Sequence, residues 1–129
     1  MNGIPLFLSR YARKPVLYVR SDPDHLPLLG ADLQESMLFS YCRERNIPVL
    51  GTIRVECGEE TSLAGLTELL DQLPPDCDSL LAARFYVYSN SLSELSDLCR
   101  LYMDRGKELY SLEHLRPIRY LLGYYTKDP

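Results

Sequence analysis

The chain has 129 residues, of which 46% are hydrophobic, so it is long and apolar enough to form one domain around a single core. Its net charge of −4 disfavours tight non-specific binding to a nucleic-acid backbone, which needs many Lys and Arg contacts. No Lys or Arg occurs between Arg54 and Arg84, where seven acidic residues lie. We interpret this acidic block as a solvated face, and a surface that repels DNA is the alternative interpretation.

The cysteines and histidines give no metal-site pattern. The four cysteines are far apart and form no Cys-x-x-Cys pair; they are Cys42, Cys57, Cys77 and Cys99. We therefore expect reduced thiols in a cytoplasmic protein. With only His25 and His114 as histidines, neither a His/Cys metal site nor a cofactor is expected. No apolar run approaches the roughly 20 residues of a membrane span, so no membrane association is expected.

Hydrophobic patterning predicts alternating strands and helices. In chain order we predict a strand over 16–20, a helix over 30–46, a strand over 47–53, a helix over 62–73, a strand over 79–88, a helix from 91 to a cap at Gly106, and a strand over 107–112. This alternation predicts an α/β fold, in which a mostly parallel sheet of four or five strands has helices on both faces.

The first predicted helix has a start signal and an apolar stripe. Asp32 followed by Glu35 is typical of a capping box. The predicted buried stripe consists of Leu33, Met37 and Tyr41, with Leu38 and Cys42 beside them. These residues recur at helical spacing, so we expect them to face the sheet.

The last predicted helix has stronger signals at both ends. Ser91 followed by Glu94 predicts a capping box, and Gly106 predicts the C-terminal cap. Its predicted buried stripe consists of Leu92, Leu95, Leu98 or Cys99, and Tyr102. We treat residues 1–14 as an extra N-terminal segment, 15–113 as the domain, and 114–129 as a short tail. Near-helical apolar spacing runs through this tail after Pro117, which is tolerable in a first turn.

A polar run follows the first predicted strand. Arg20, Ser21 and Asp22 come directly after apolar residues and before a turn-forming stretch. In an open α/β sheet, ligands collect at the carboxyl ends of strands. The sequence therefore places a candidate site at these three residues.

Four motifs in consistent order resemble one known family. They are Tyr18-Val19-Arg20, Leu33-Gln34 with the later Asn46-Ile47-Pro48-Val49, Gly65-Leu66 with Leu69-Leu70, and Asp78-Ser79-Leu80-Leu81 with Ser91-Leu92. Together they resemble the N-terminal catalytic domain of serine recombinases, the resolvases and DNA invertases, over about residues 15–113. The resemblance implies a resolvase-like three-layer sandwich.

The resemblance implies chemistry in which a serine attacks a DNA phosphate while arginines stabilise the transition state. Carried over residue by residue, the family's first arginine is Arg20 and its glutamine is Gln34. The nucleophile position is occupied by Asp22, and Ser21 lies one place early. The other catalytic positions of the family fall on Leu63, Tyr86, Val87 and Asn90.

These replacements favour a degenerate resolvase-like domain that acts in protein association or regulation, as a homo-oligomer or with a protein partner. We expect DNA contact to be weak, since no DNA-binding domain follows the short tail. One alternative is an active recombinase that forms a phosphoserine link at Ser21, with Arg20 and Gln34 as helpers. Another is a small anion- or nucleotide-binding module near Arg20, although the sequence has no Gly-rich phosphate loop.

Further alternatives concern the same loop. Ser21 with His25 could act as a nucleophile and base, although such pairs are common by chance. Asp22, Asp24 and His25 could bind a metal, but aspartates beside Pro23 are better explained by a turn. Arg20 could hold an anion or form a salt bridge with Asp22 or Glu35.

Two tyrosine groups could bind partners. Tyr86 and Tyr88 could stack on bases, and packing in the third strand is the alternative. The C-terminal group, Tyr120, Tyr124 and Tyr125, could bind a protein partner or pack on its own domain.

Overall fold

The computed structural model describes residues 14–21, 30–56, 62–89, 91–114 and 116–123. Within these ranges the elements are β1 (Pro15–Ser21), α1 (Ala31–Glu44), β2 (Gly51–Glu56), α2 (Ser62–Leu70), β3 (Ser79–Ala82), α3 (Leu92–Asp104) and β4 (Glu108–Ser111). Two short 3-10 helices span Phe85–Val87 and Ile118–Leu122. The four strands form one sheet in the order β2-β1-β3-β4, and every pair is parallel. The predicted α/β fold is confirmed.

The side chains of β1 divide the core into two layers. Val16 and Tyr18 pack in the larger cluster, which α2 and α3 cover. Leu17 and Val19 pack on the opposite face, in a smaller cluster with α1. Successive side chains of a strand point to opposite faces, and a central parallel strand is buried on both. This explains why the first strand is apolar almost throughout.

The start of α1 differs from its prediction. The N-cap residue is Gly30, which has no side chain that could cap the helix. The predicted capping box is wrong, because Asp32 and Glu35 lie inside the helix. Both carboxylates instead contact Arg54 of β2, at 3.1 and 2.8 Å from its Nη1. A cross-element ion pair therefore replaces the local cap.

The buried row of α1 matches its prediction only in part, since Leu38 and Cys42 are buried as predicted but the rest of the row differs. Gln34, Leu38 and Cys42 are the buried residues of the helix, whereas Leu33 is 52% exposed. The helix thus turns a polar residue toward the sheet. Hydrophobic spacing does not detect such a row, because Gln34 is buried through hydrogen bonds rather than apolar contacts.

Three predicted boundaries shift. The second strand is Gly51–Glu56 rather than 47–53, and α2 ends at Leu70, before the predicted end at residue 73. The third strand ends at Ala82, and the apolar run continues into the 3-10 helix Phe85–Val87. A continuous apolar run does not by itself distinguish a strand from another buried conformation.

Helix α3 begins and ends where predicted, but only the Ser91 half of the predicted capping box forms, because the Ser91 backbone N–H donates to the hydroxyl of Ser89 and not to Glu94. The hydroxyl of Ser91 accepts a hydrogen bond from the backbone N–H of Glu94 at 3.2 Å. After the helix, Gly106 adopts the left-handed conformation with φ +74°, which glycine tolerates best. The predicted buried row is correct apart from Leu92, which is exposed.

Part of the C-terminal segment packs on its own domain. Ile118 is buried in the larger core cluster, and the following Arg119 binds the carboxylate of Glu108 on β4. The near-helical spacing of this segment forms the 3-10 helix Ile118–Leu122, directly after Pro117. Tyr124 and Tyr125 lie outside the described residues. In the part of the chain that the structure describes, no helix is long and apolar enough to span a membrane.

Candidate functional site

The candidate site lies at the carboxyl edge of the sheet. Because all paired strands are parallel, their carboxyl ends meet at one edge. There β1 ends in Arg20 and Ser21, which pair in register with Val55 and Glu56 of β2. Arg84 follows the end of the neighbouring strand β3. The first predicted strand therefore ends at the expected edge.

Arg20 and Ser21 leave the sheet on opposite faces. Both residues belong to β1, so the alternation that separates Tyr18 from Val19 continues through them. Arg20 falls on the face of α2 and α3, and Ser21 on the face of α1. Burial raises the pKa of the Tyr18 hydroxyl, and the positive charge of Arg20 partly offsets that rise, as expected for neighbours on one face.

Gln34 of α1 is joined to the backbone of Arg20. Its side-chain amide Nε2 donates to the Arg20 carbonyl oxygen at 2.7 Å. Its Oε1 accepts from the Arg20 backbone N–H at 3.2 Å. The side chain is fully buried, so these bonds compensate its desolvation. They attach the end of β1 to the first turns of α1.

Two arginines near this edge were missed in the sequence analysis. Arg54 of β2 contacts Asp32 and Glu35, and the hydrogen bond that Arg54 donates to the Asp32 carboxylate is the main cause that raises the pKa of Arg54. Arg84 donates from Nη1 to the Ala83 carbonyl oxygen at 3.1 Å. Neither lies in a recognisable motif, and only the parallel pairing of the strands brings them to this part of the sheet.

The segment after β3 forms part of the core. Val87 is 1% exposed, and Tyr86 is half-buried, with its ring in a T-shaped contact with the ring of Phe85. Tyr88 is fully buried and stacks on Tyr18 with 5.6 Å between ring centroids. Tyr88 therefore has no face on which a base could stack. Packing within a strand is also wrong for these tyrosines, since the chain forms a 3-10 helix and a turn here.

The buried tyrosine hydroxyls have structural partners. Tyr88 donates to the carbonyl oxygen of Tyr110 at 2.8 Å, and Tyr102 of α3 donates to the carbonyl oxygen of Leu66 at 2.6 Å. Desolvation raises the pKa of both hydroxyls well above that of free tyrosine. Both groups therefore stay protonated at neutral pH and connect elements of the larger cluster.

The described cysteines are unsuited to nucleophilic chemistry. Cys42, Cys77 and Cys99 are free thiols and are buried. Burial raises the pKa of Cys42 to about 11 and that of Cys99 to about 12, so the reactive thiolate is scarce at neutral pH. Among the residues that the structure describes, no three His, Cys, Asp or Glu side chains could together hold a metal ion.

Several predicted site residues are not described by the structure. Asp22, Asp24, His25 and Asn90 lie outside the described residues. The pairing of Ser21 with His25, the Asp-His metal cluster and the identity of the nucleophile position therefore remain predictions. Leu63 lies in the first turn of α2.

No family model matches the sequence, and no curated protein matches it either. Among solved structures, the N-terminal catalytic domain of TP901-1 integrase is similar, with 17% identity, a TM-score of 0.68 and coverage of 85% of both chains. The C-terminal catalytic domain of ISC1926 TnpA, an IS607-like serine recombinase, is similar with 15% identity and a TM-score of 0.58. That match covers 85% of this chain and 75% of the other. The chain therefore has the α/β fold of serine recombinase catalytic domains.

Proposed function

We propose that this domain keeps the recombinase fold, has lost the strand-exchange chemistry, and acts in protein association or regulation. The observation that carries the proposal is the burial of Val87 in the core, at a position where the resemblance implies a catalytic arginine. A phosphoryl-transfer transition state needs fixed positive charge around the phosphate. In comparable sites the loss of one stabilising donor costs about 3–4 kcal/mol of transition-state stabilisation.

The directions of Arg20 and Ser21 also support loss of catalysis. The resemblance implies an arginine two residues before the nucleophile, a spacing that places both side chains on the same side of a strand. Here the two neighbours leave β1 on opposite faces. In addition, both hydrogen-bonding ends of the Gln34 amide engage the Arg20 backbone. The alternative in which Ser21 acts with Arg20 and Gln34 would therefore require β1 and α1 to rearrange.

An association role implies a protein partner, which we propose is a second copy of this chain. Weak contact with DNA fits the net charge of −4. We also propose a cytoplasmic location, because the thiols of Cys42, Cys77 and Cys99 are free and buried. Affinity capture with and without nuclease, followed by mass spectrometry, separates protein partners from nucleic acid. A partner that persists after nuclease treatment supports association.

The loss of catalysis is tested by incubating the purified chain with labelled duplex DNA and resolving covalent protein–DNA adducts on denaturing gels. We expect no adduct above the level of Ser21→Ala. Ser40→Ala, which changes an exposed serine of α1, is the matched control. An adduct that forms with the unsubstituted chain and with Ser40→Ala, but not with Ser21→Ala, would show an active recombinase and refute the proposal.

A second candidate function is binding of a small anion or nucleotide at the carboxyl edge. It is favoured by Arg20 and Arg84, which lie at the ends of neighbouring parallel strands. Inorganic phosphate and nucleoside phosphates should then raise the melting temperature, because a ligand that binds the native state stabilises it. Arg20→Ala should abolish the shift, whereas Arg100→Ala on the exposed side of α3 should retain it. A flat response to the whole panel would remove this candidate.

A further inference from the structure

The two edge strands of the sheet differ. β4 forms one edge and has four residues, and the 3-10 helix Ile118–Leu122 packs against it, with Arg119 bound to Glu108. β2 forms the other edge and has six residues. Within the described residues, no strand pairs with the side of β2 that faces away from β1. This side of β2 therefore presents backbone N–H and carbonyl groups that can pair with a further strand.

Apolar side chains are exposed around β2. Val55 of β2 and Leu50, directly before the strand, are 36% and 37% exposed. Arg54 turns toward α1, where it contacts Glu35, so Val55 turns to the opposite face of the sheet. Phe39 lies one helical turn after Glu35 and is 38% exposed. The edge is therefore apolar on both faces of the sheet, whereas edge strands that stay unpaired are usually protected by charges.

We propose that residues 4–8 of this chain pair with β2 as an antiparallel fifth strand. The segment is Ile4-Pro5-Leu6-Phe7-Leu8, which precedes β1 and lies outside the described residues. It contains no charged residue, and four of its five side chains are large and apolar. Because successive side chains of a strand alternate, the segment offers apolar side chains to both faces of the sheet. The pairing does not depend on the association role proposed above.

The length of chain before β1 supports the antiparallel direction. Lys14 lies at the start of β1, and its backbone N–H donates to the carboxylate of Asp78, directly before β3, at 3.1 Å. A strand beyond β2 lies two strand spacings, about 10 Å, from β1. Residues 9–13 span that distance if residue 8 lies at the same end of the sheet as Lys14. A parallel strand would place residue 8 at the opposite end, and such a connection needs about a dozen residues or more.

Pro5 determines which backbone groups of the segment face β2. Proline has no backbone N–H, so in a sheet it is tolerated on an edge strand at a position that faces solvent. Residues two apart in a strand have the same direction, so the N–H of Phe7 also faces solvent. The N–H groups of Ile4, Leu6 and Leu8 then face β2. The proposed strand therefore has alternating bound and solvent-facing amides.

Amide hydrogen exchange of the full chain, followed residue by residue by NMR, tests this alternation. We expect the amides of Leu6 and Leu8 to exchange at least about tenfold more slowly than the amide of Phe7. Equal exchange rates of the three amides, or slower exchange of Phe7, would overturn the proposal. The measurement is repeated at a higher protein concentration. Protection that rises with concentration would mean that a second copy supplies the strand, which also overturns pairing within one chain.

Proline substitutions in the full chain give an independent test. Leu6→Pro removes an N–H that the pairing uses, whereas Phe7→Pro removes one that faces solvent. Leu6→Ala and Phe7→Ala are the matched controls for the lost side chains. We expect Leu6→Pro to lower the melting temperature by about 3 °C or more beyond Leu6→Ala, and Phe7→Pro to match Phe7→Ala. Equal effects of proline and alanine at position 6 would overturn the proposal.

The exchange of sheet amides in Leu6→Pro identifies the strand that the segment contacts. We expect at least about tenfold faster exchange at every second residue of β2, because only the amides that face away from β1 lose a partner. Amides of β2 that face β1 should keep their protection, and those of β4 are the control. Faster exchange in β4 rather than β2, or no change in either strand, would overturn the proposal. Neither result bears on the proposed loss of catalysis, which fails only through a DNA adduct that depends on Ser21.

Discussion

The side-chain amide of Gln34 binds the backbone of Arg20 at both of its polar ends, donating to the carbonyl oxygen and accepting from the N–H. This pairing resembles one step of a β-ladder, formed by a helix side chain at the last residues of β1. It explains why a polar residue occupies the buried row of α1. The resemblance to serine recombinases implied that Gln34 is a catalytic helper. The hydrogen bonds instead give Gln34 a structural role at the end of β1.

Replacing Gln34 with Glu should therefore destabilise the fold. A carboxylate can accept from the Arg20 N–H but has no N–H to donate to the Arg20 carbonyl, and it would be charged in a fully buried position. We expect a loss of about 3 kcal/mol or more in the free energy of unfolding, measured by urea denaturation. Gln72→Glu, the same change at an exposed residue, should cost less than about 0.5 kcal/mol. Equal stability of the two variants would contradict the structural role of the two hydrogen bonds between Gln34 and the Arg20 backbone.

An arginine at position 87, where the resemblance implies a catalytic arginine, should unfold the domain rather than activate it. Val87 is surrounded by the larger cluster, so Val87→Arg buries a charge without a partner. We expect a loss of more than about 3 kcal/mol of unfolding free energy. Tyr86→Arg, at the half-buried neighbour, should cost about 1–2 kcal/mol at most. A folded Val87→Arg protein with near-normal stability would mean that this position is open to the surface.

The ion pair between Arg119 and Glu108 should contribute more to the free energy of unfolding than the exposed ion pair between Arg105 and Asp71. Arg119 Nε lies 3.0 and 2.9 Å from the two carboxylate oxygens, and the two side chains are only 8% and 19% exposed. Arg119→Met should lower the unfolding free energy by about 2–4 kcal/mol, because Glu108 keeps its charge but loses the ion pair with Arg119.

The matched control is Arg105→Met, which breaks the exposed pair with Asp71 and should cost at most about 1 kcal/mol. Adding Glu108→Leu to Arg119→Met should recover part of the loss, since the unpaired carboxylate is then removed. A double variant less stable than Arg119→Met alone would argue against this explanation.

Stability should fall in alkaline solution. Burial raises the pKa of the Cys42 thiol from 9.0 to about 11 and that of Cys99 from 9.0 to about 12. Below about pH 9 these thiols are protonated in both the folded and the unfolded chain, so their contribution to the free energy of unfolding is fully present. As pH rises from 9 through 11, the unfolded chain releases protons that the folded chain keeps, and stability declines by up to about 1.4 kcal/mol per pH unit for each thiol.

Urea denaturation between pH 7 and pH 11 under reducing conditions measures this decline. The pKa values of Tyr88 and Tyr102 are also raised by burial, so the decline should steepen above pH 10. The double variant Cys42→Ala/Cys99→Ala should start less stable at pH 7 but lose less stability between pH 9 and pH 11. An identical slope in both proteins would mean that the thiols do not cause the decline.

Helix α1 shows how far hydrophobic spacing predicts this fold. The spacing locates the helix and includes the buried Leu38 and Cys42 in its stripe. It centres that stripe on Leu33, Met37 and Tyr41, however, and omits Gln34, which is buried. Two adjacent rows of one helix are both largely apolar, so periodicity distinguishes them poorly. The choice is made by the Arg20 backbone, whose N–H and carbonyl groups form hydrogen bonds with a glutamine and could not do so with a leucine.

The sequence by itself determined the alternation of strands and helices, the parallel sheet, the Ser91 cap and the left-handed turn at Gly106, because each depends on neighbours in the chain. Only the tertiary structure decided that Arg54 binds Asp32 and Glu35, and that Val87 and Tyr88 enter the core. These features depend on which residues distant in sequence meet when the strands pair, and local propensity and spacing do not specify that.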